Sequence, residues 1–243
     1  VLIDVKDKTR EGERVKGLVI ADLIDPDRST YARHFQGVDA VVHFGYKLRP
    51  SAPLDDFYDE KANVEMAYNV LRSAYDAGVP RVSVASSNHA ADWYEYNLIT
   101  QGKMDMLEPD KLPLSDNFYG WAKATYEHMG FLFACGGMGF GRSSGGEDPT
   151  GGAQSDQRRV GVVMVRIGAP RDIVLESYKG DAANYKRDLG AYISPRDITQ
   201  LFAKAAEAPN IENEHGVPWL VVYGISNNTR AFWSLASARK MLG

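Results

Sequence analysis

Tyr119 and Lys123 stand four residues apart within Ser115-Asp-Asn-Phe-Tyr-Gly-Trp-Ala-Lys-Ala-Thr-Tyr-Glu127, a stretch that reads as a helix. That spacing sets the phenol and the ammonium on one helix face, one turn from each other. A cation beside a tyrosine favours the phenolate, so the tyrosine can act as a general base nearer neutral pH than its free value of about 10 allows. Such pairs also occur on solvated helix faces, and the rest of the chain has to supply the other side of a site. Ser87 closes the apolar run Arg81-Val-Ser-Val-Ala-Ser86-Ser87, 32 residues before Tyr119. Its hydroxyl is a candidate to share a substrate oxygen with the phenol; strand-end serines also satisfy backbone groups in turns, which is the reading kept for Ser86. Asn88 and His89 follow directly, either to hold substrate hydroxyls or to structure the loop.

The elements that must position these residues alternate. Apolar runs at Val1–Val5, Gly17–Leu23, Val38–Gly45, Arg81–Ser87, Val160–Gly168 and Trp219–Tyr223 read as strands. Helices are expected from Asp25-Pro26 to about Gln36, over 55–78 up to Gly78 and Pro80, from a Ser115 or Asp116 cap to Cys135, and from Ser194-Pro195 to Glu207; Ala238–Gly243 reads as a further helix end. In the Tyr119 helix, Phe118, Ala122, Tyr126, Met129 and Leu132 mark the side expected to be buried. Residues 6–16 and 90–114 read as irregular and polar, and the glycine-rich 136–159 as a surface insertion. Those glycines follow a helix and trace no phosphate-binding motif.

Continuous apolar strands separated by helices predict an α/β fold with a doubly wound parallel sheet. Ligands then sit beyond the carboxyl ends of the strands, where Asp4, Asp22, Gly45, Ser86–His89 and Arg166–Gly168 stand. If Val1–Val5 is the second strand of a dinucleotide-binding fold, Asp4 accepts hydrogen bonds from the adenosine ribose and favours NAD over NADP. The alternative is an aspartate that caps its own turn.

Composition narrows the classes. The 243 residues are 44% hydrophobic and 25% charged, ordinary for a globular protein, and the formal net charge of −4 without a basic cluster argues against nucleic acid. No apolar run is long enough to span a bilayer and no signal-peptide pattern opens the chain. The single Cys135 fits a reducing, cytoplasmic location. His34, His43, His89, His128 and His215 are scattered without zinc-site spacing, so no metal is expected.

Ala85-Ser-Ser-Asn-His89, Tyr119-Gly-Trp-Ala-Lys123, Val165-Arg-Ile-Gly168 and Val222-Tyr-Gly-Ile-Ser-Asn-Asn-Thr-Arg230 together resemble the extended short-chain dehydrogenase/reductases, the NAD-dependent epimerase/dehydratase group. Within it they are most similar to uronate dehydrogenases and archaeal-type NAD-dependent glucose-6-phosphate dehydrogenases, which oxidise the anomeric hydroxyl of a cyclic sugar to a lactone. The resemblance implies a Rossmann-like domain over 1–168 and a smaller, interleaved substrate-binding portion over 169–243. It implies Tyr119 as base, Ser87 orienting the sugar hydroxyl, and Lys123 holding the nicotinamide ribose. It assigns Asp4, Asp22, Leu23, Phe44, Gly45, Lys123 and Ile167 to NAD, and Asn88, His89 and Arg187 to a sugar or sugar-acid substrate, with Arg187 matching an arginine that pairs with a substrate carboxylate. It further implies a homodimer through the 55–78 and 116–135 helices. Two departures stand out: Ala169 replaces a substrate-binding serine, and Tyr46 fills a place usually small. The first strand and its glycine-rich turn are absent from these residues, and we expect them ahead of Val1. A nucleotide-sugar epimerase or dehydratase, or a dinucleotide-binding protein without turnover, are the alternatives.

Overall fold

Val82, Ser83 and Val84 are all sealed from solvent, on both faces of their strand. This is the burial expected of a strand inside a parallel sheet covered on two sides. In a computed structural model of the chain, which describes residues 1–9, 11–48, 56–136 and 158–243, that strand is β4 (Arg81–Ser87). It lies between β3 (Ala40–His43) and β5 (Gly161–Ile167), and β6 (Trp219–Gly224) completes the order β3-β4-β5-β6, every pair parallel. A second parallel ladder joins β1 (Leu2–Asp4) to β2 (Leu18–Ile20). The glycine-rich stretch 137–157 lies outside the described residues, so its reading as an insertion stays an expectation.

Helices cover both faces. On one, α1 (Asp56–Ala77) and α3 (Phe118–Cys135) bring Val70, Leu71, Ala74, Tyr126 and Phe133 against Val82, Val84, Val162 and Met164. On the other, α5 (Pro195–Glu207) and α6 (Ala236–Leu242) bring Phe202, Ala205 and Leu242 against Val163, Val165, Leu220 and Val222. Residues 162 to 165 alternate between these two cores, as strand geometry requires. The doubly wound architecture is thus the one expected. No described helix is long and apolar enough to cross a membrane.

Four local expectations change. The stretch 25–36 is two short 3-10 turns, Arg28–Thr30 and Ala32–Phe35, rather than one α-helix. Asp25 and Asp27 accept from the backbone N–H groups of Asp27 and Ser29, at 2.9 and 3.1 Å, and such local bonds compete with helix. The first part of 90–114, expected to be irregular, is helical up to Ile99: a 3-10 turn at Asn88–Ala91, α2 at Asp92–Tyr94 and a π turn at Glu95–Ile99. Ala91 and Tyr94 pack there against Ala169, Ala191 and Trp233, a contact no local pattern announces. The cap of α3 is Asn117, whose Oδ1 accepts from Gly120 N at 2.9 Å, and neither Ser115 nor Asp116. Leu132 is 43% exposed, whereas Lys123 and Glu127 are buried on that helix. In addition, α4 (Ala182–Ala191) forms where the sequence announced no element.

Candidate active site

Tyr119 lies in the first turn of α3 and Lys123 one turn on. The start of that helix is held against the loop after β4 with no room to spare: a Cβ at Gly120 would collide with Ser115 Oγ and the His89 carbonyl. The Tyr119 ring stands edge-on to His89 at 5.7 Å and to Tyr46 at 5.6 Å between centroids. Lys123 is 4% exposed. Its Nζ donates to the Ala85 carbonyl at 3.0 Å and lies 4.5, 5.2 and 5.7 Å from the ring centroids of Tyr126, Tyr46 and Tyr119. Burial pulls the Lys123 ammonium down to about 8, against the opposing pull of the nearby Glu60 carboxylate. An ammonium carries three donors, and Ala85 takes one, so the group retains capacity for ligand hydroxyls.

Tyr46 and Glu60 belong to this cluster although no sequence pattern marked Glu60. The Tyr46 hydroxyl donates to Glu60 Oε1 at 2.6 Å, and Glu60 is fully buried in the second turn of α1. Asn63, one turn further, accepts from Lys47 N at 2.7 Å and donates to Lys47 O at 3.1 Å, fixing the chain after β3.

Ser87 ends β4 and caps the turn that follows. Its Oγ accepts from His89 N at 3.2 Å and donates to Asn88 Oδ1 at 3.4 Å. Asn88 is buried, and its Nδ2 has no hydrogen-bond partner among the described residues. An orphaned buried donor of this kind is costly unless a ligand or water completes it. His89 Nδ1 meets Asp92 Oδ2 at 3.1 Å, and the same oxygen accepts from Asn117 Nδ2 at 2.9 Å. Burial raises Asp92, but hydrogen bonds from His89, Ser115 and Asn117 outweigh it and hold the carboxyl below its usual range. Asp92 thereby ties His89 to the cap of the Tyr119 helix. The only sequence trace of this is the three-residue interval from His89 to Asp92, one helical turn.

The remaining expected residues spread along the carboxyl ends. Ile167 pairs in register with Ser87. Phe44 is half exposed and its ring meets Phe202 at 4.4 Å; at Gly45 a Cβ would stand 2.8 Å from Met66 Sδ and 3.0 Å from His43 Cε1, so a side chain there requires Met66 to move. Asp4 ends β1 of the other ladder and Asp22 follows β2 by two residues, both exposed, each accepting from a backbone N–H two residues on, Lys6 at 3.0 Å and Ile24 at 2.9 Å. The Leu23 carbonyl accepts from Asn69 Nδ2 of α1 at 2.9 Å. Arg187 is held elsewhere than by solvent: it sits on α4 and makes a two-pronged ion pair with Glu95, Nε to Oε1 at 2.6 Å and Nη2 to Oε2 at 3.0 Å. Arg166 is buried and structural, forked onto Glu127 of α3 at 2.8 Å twice, with Ser86 donating to the same carboxylate at 2.8 Å. Two surface cavities of about 430 and 360 Å³ lie away from Tyr119, one lined by Arg196, Lys204 and Arg239, the other by Pro170, Tyr192 and Ile198.

A parallel sheet wound on both faces, with polar groups gathered at its carboxyl edge, defines a doubly wound α/β protein, which places its ligands at that edge. Residues 2–134 match the NAD dependent epimerase/dehydratase family, and the chain belongs to that family. It is 29% identical to an NAD-dependent glucose-6-phosphate dehydrogenase of Haloferax volcanii over 92% of this chain and 73% of that protein. It is 25% identical to a uronate dehydrogenase of Pseudomonas syringae pv. tomato over 91% of this chain, which spans 63% of that protein's length. A uronate dehydrogenase variant from Agrobacterium tumefaciens, solved in complex with NAD, superimposes with a TM-score of 0.61 at 22% identity, over 96% of this chain and 69% of that one.

Proposed function

We propose that this protein is an NAD-dependent dehydrogenase that oxidises a sugar hydroxyl, the anomeric one, to a lactone. The observation that carries this is the packing of Tyr119 between His89 and Tyr46, one turn from the buried Lys123 and beside the loop that Ser87 opens. Tyr119 takes the hydroxyl proton, Ser87 orients that hydroxyl, and Lys123 holds the nicotinamide ribose with the donors Ala85 leaves free. NAD, when bound, accepts the hydride. The protein's part is placement and charge. Asp4, Asp22, Leu23, Phe44, Gly45 and Ile167 line the cofactor in this reading. Asn88, with its orphaned Nδ2, and His89, held by Asp92, face the sugar, and residues 169–243 supply much of the substrate side. A cytoplasmic location belongs to the same reading.

The test is to supply full-length protein with NAD and a panel of aldoses, uronates, sugar phosphates and nucleotide sugars, and to follow NADH. Net NADH release with a free sugar is the expected result. Turnover of a nucleotide sugar without net NADH would replace the proposal by an epimerase or dehydratase, and NAD binding without any turnover by a sensing role. Tyr119→Phe loses about 100-fold or more in kcat/KM, since a general base is removed; activity within a few-fold of the parent excludes this mechanism.

A further inference from the structure

The Arg187 guanidinium, which the resemblance matches to an arginine that pairs with a substrate carboxylate, is already spent. Arg187 is 16% exposed in its side chain and gives its fork to Glu95, which is 4% exposed and lies eight residues after Ser87 on the helical segment 88–99. Its remaining Nη1 donates to Asp188 Oδ1 at 3.1 Å, and its plane lies 5.4 Å from the ring of the buried Trp233. Asp188 is shared with Arg171 Nη2 at 2.5 Å and with the Tyr178 hydroxyl at 2.7 Å. Arg187 and Arg171 therefore meet two carboxylates and cancel. Asp92, ionised and tied to His89, adds a third carboxylate on the same helical segment. The other buried arginine of this sheet edge, Arg166, is paired with Glu127. The carboxyl end of α4 that carries this network is fixed to the end of β5, with Ala169 N donating to Ala191 O at 2.8 Å.

We infer that the substrate is an uncharged aldose, and that the Glu95–Arg187–Asp188 network selects against sugar acids and sugar phosphates; the inference rests on the dehydrogenase reading above. A bidentate guanidinium–carboxylate pair uses the geometry by which arginine would seize a substrate anion. To bind a uronate there, Arg187 must release Glu95 and leave a buried carboxylate without its partner, which is strongly unfavourable. A neutral sugar asks for no such exchange and can donate its hydroxyls to the same carboxylate oxygens. Selection then works by repulsion as much as by attraction.

The experiment uses full-length protein with NAD and matched sugars: D-galactose against D-galacturonate, and D-glucose against D-glucuronate and D-glucose 6-phosphate. The neutral member of each set is expected to have a kcat/KM about 100-fold or more above its anionic partners. In Glu95→Gln, and in Asp188→Asn as an independent variant, the uronate-to-aldose ratio of kcat/KM is expected to rise about tenfold, because one opposing charge is gone. A uronate or phosphate used as well as its neutral partner overturns the inference and leaves the dehydrogenase standing. So does an unchanged ratio in either variant whose circular dichroism is native. NADH from none of these sugars and from no other member of the wider panel above, with NAD still bound, removes the dehydrogenase reading and this inference together.

Discussion

At the scale of single residues, the most consequential side chain is Lys123, an ammonium enclosed by three tyrosine rings with one carbonyl acceptor. Its pKa falls from 10.5 to about 8 on folding because burial penalises the charge. Between those values the unfolded chain keeps a proton that the folded chain has given up, so this group makes stability rise with pH across that window. Below pH 8 both states are protonated and the burial penalty is fully present. The difference in unfolding free energy between the parent and Lys123→Met is expected to shift in the parent's favour by about 3 kcal/mol from pH 8 to 10.5. Urea titrations of both proteins at steps of pH measure it, and comparing the pair removes the contribution of titrating groups elsewhere in the chain. A difference that stays flat over the window would mean the ammonium is solvated in the folded state. The spacing of Tyr119 and Lys123 made this pair visible in the sequence, but its surroundings were not. Glu60 and Tyr46 reach it from α1 and from the chain after β3, and nothing local to either segment announces that meeting.

At the scale of elements, α3 is the piece that everything else aligns. Its Glu127 receives both arms of Arg166 from β5 and the Ser86 hydroxyl from β4, while its own carbonyl accepts Trp219 Nε1 from β6 at 3.0 Å. One residue thus locks the helix that carries Tyr119 to three strands. Glu127→Gln leaves Arg166 buried without its counter-charge and is expected to cost about 3–5 kcal/mol in urea unfolding, whereas replacing both by apolar residues of similar volume should cost much less. A loss below 1 kcal/mol for the single change would place the weight of the packing elsewhere. Helices with strong periodicity and clear stops were readable in advance, and β4, α1 and α5 lie where the apolar spacing puts them, within a residue. The 88–99 segment was not, because its helicity depends on Trp233 and Ala191, roughly a hundred residues or more away along the chain. The stretch 25–36 failed in the opposite sense: its Asp-Pro start and its length favoured a helix, and its own aspartates diverted the backbone.

At the scale of the whole molecule, α1 and α3 pack side by side and leave an apolar outer face. Tyr58 is 75% exposed, Tyr68 40%, Trp121 37% and Leu132 43%, and the Phe57 and Trp121 rings meet at 5.5 Å. We propose that this face pairs two copies of the chain. Light scattering on full-length protein is expected to give twice the chain mass, and Tyr68→Asp combined with Leu132→Asp to give the monomer. A monomeric parent protein sinks the proposal.

The sequence by itself determined the alternation of strands and helices, and with it the carboxyl edge where Ser87, Asn88, His89, Tyr119 and Lys123 gather. Those features depend on local periodicity and on chain direction, which neighbouring residues carry. What tertiary structure alone decided is which of the charged side chains are paired. Arg187 looked available to a substrate carboxylate until Glu95, 92 positions earlier, was found in its fork. Whether a charge is free or spent depends on which distant segments fold against it, because a desolvated charge is stable only beside its partner.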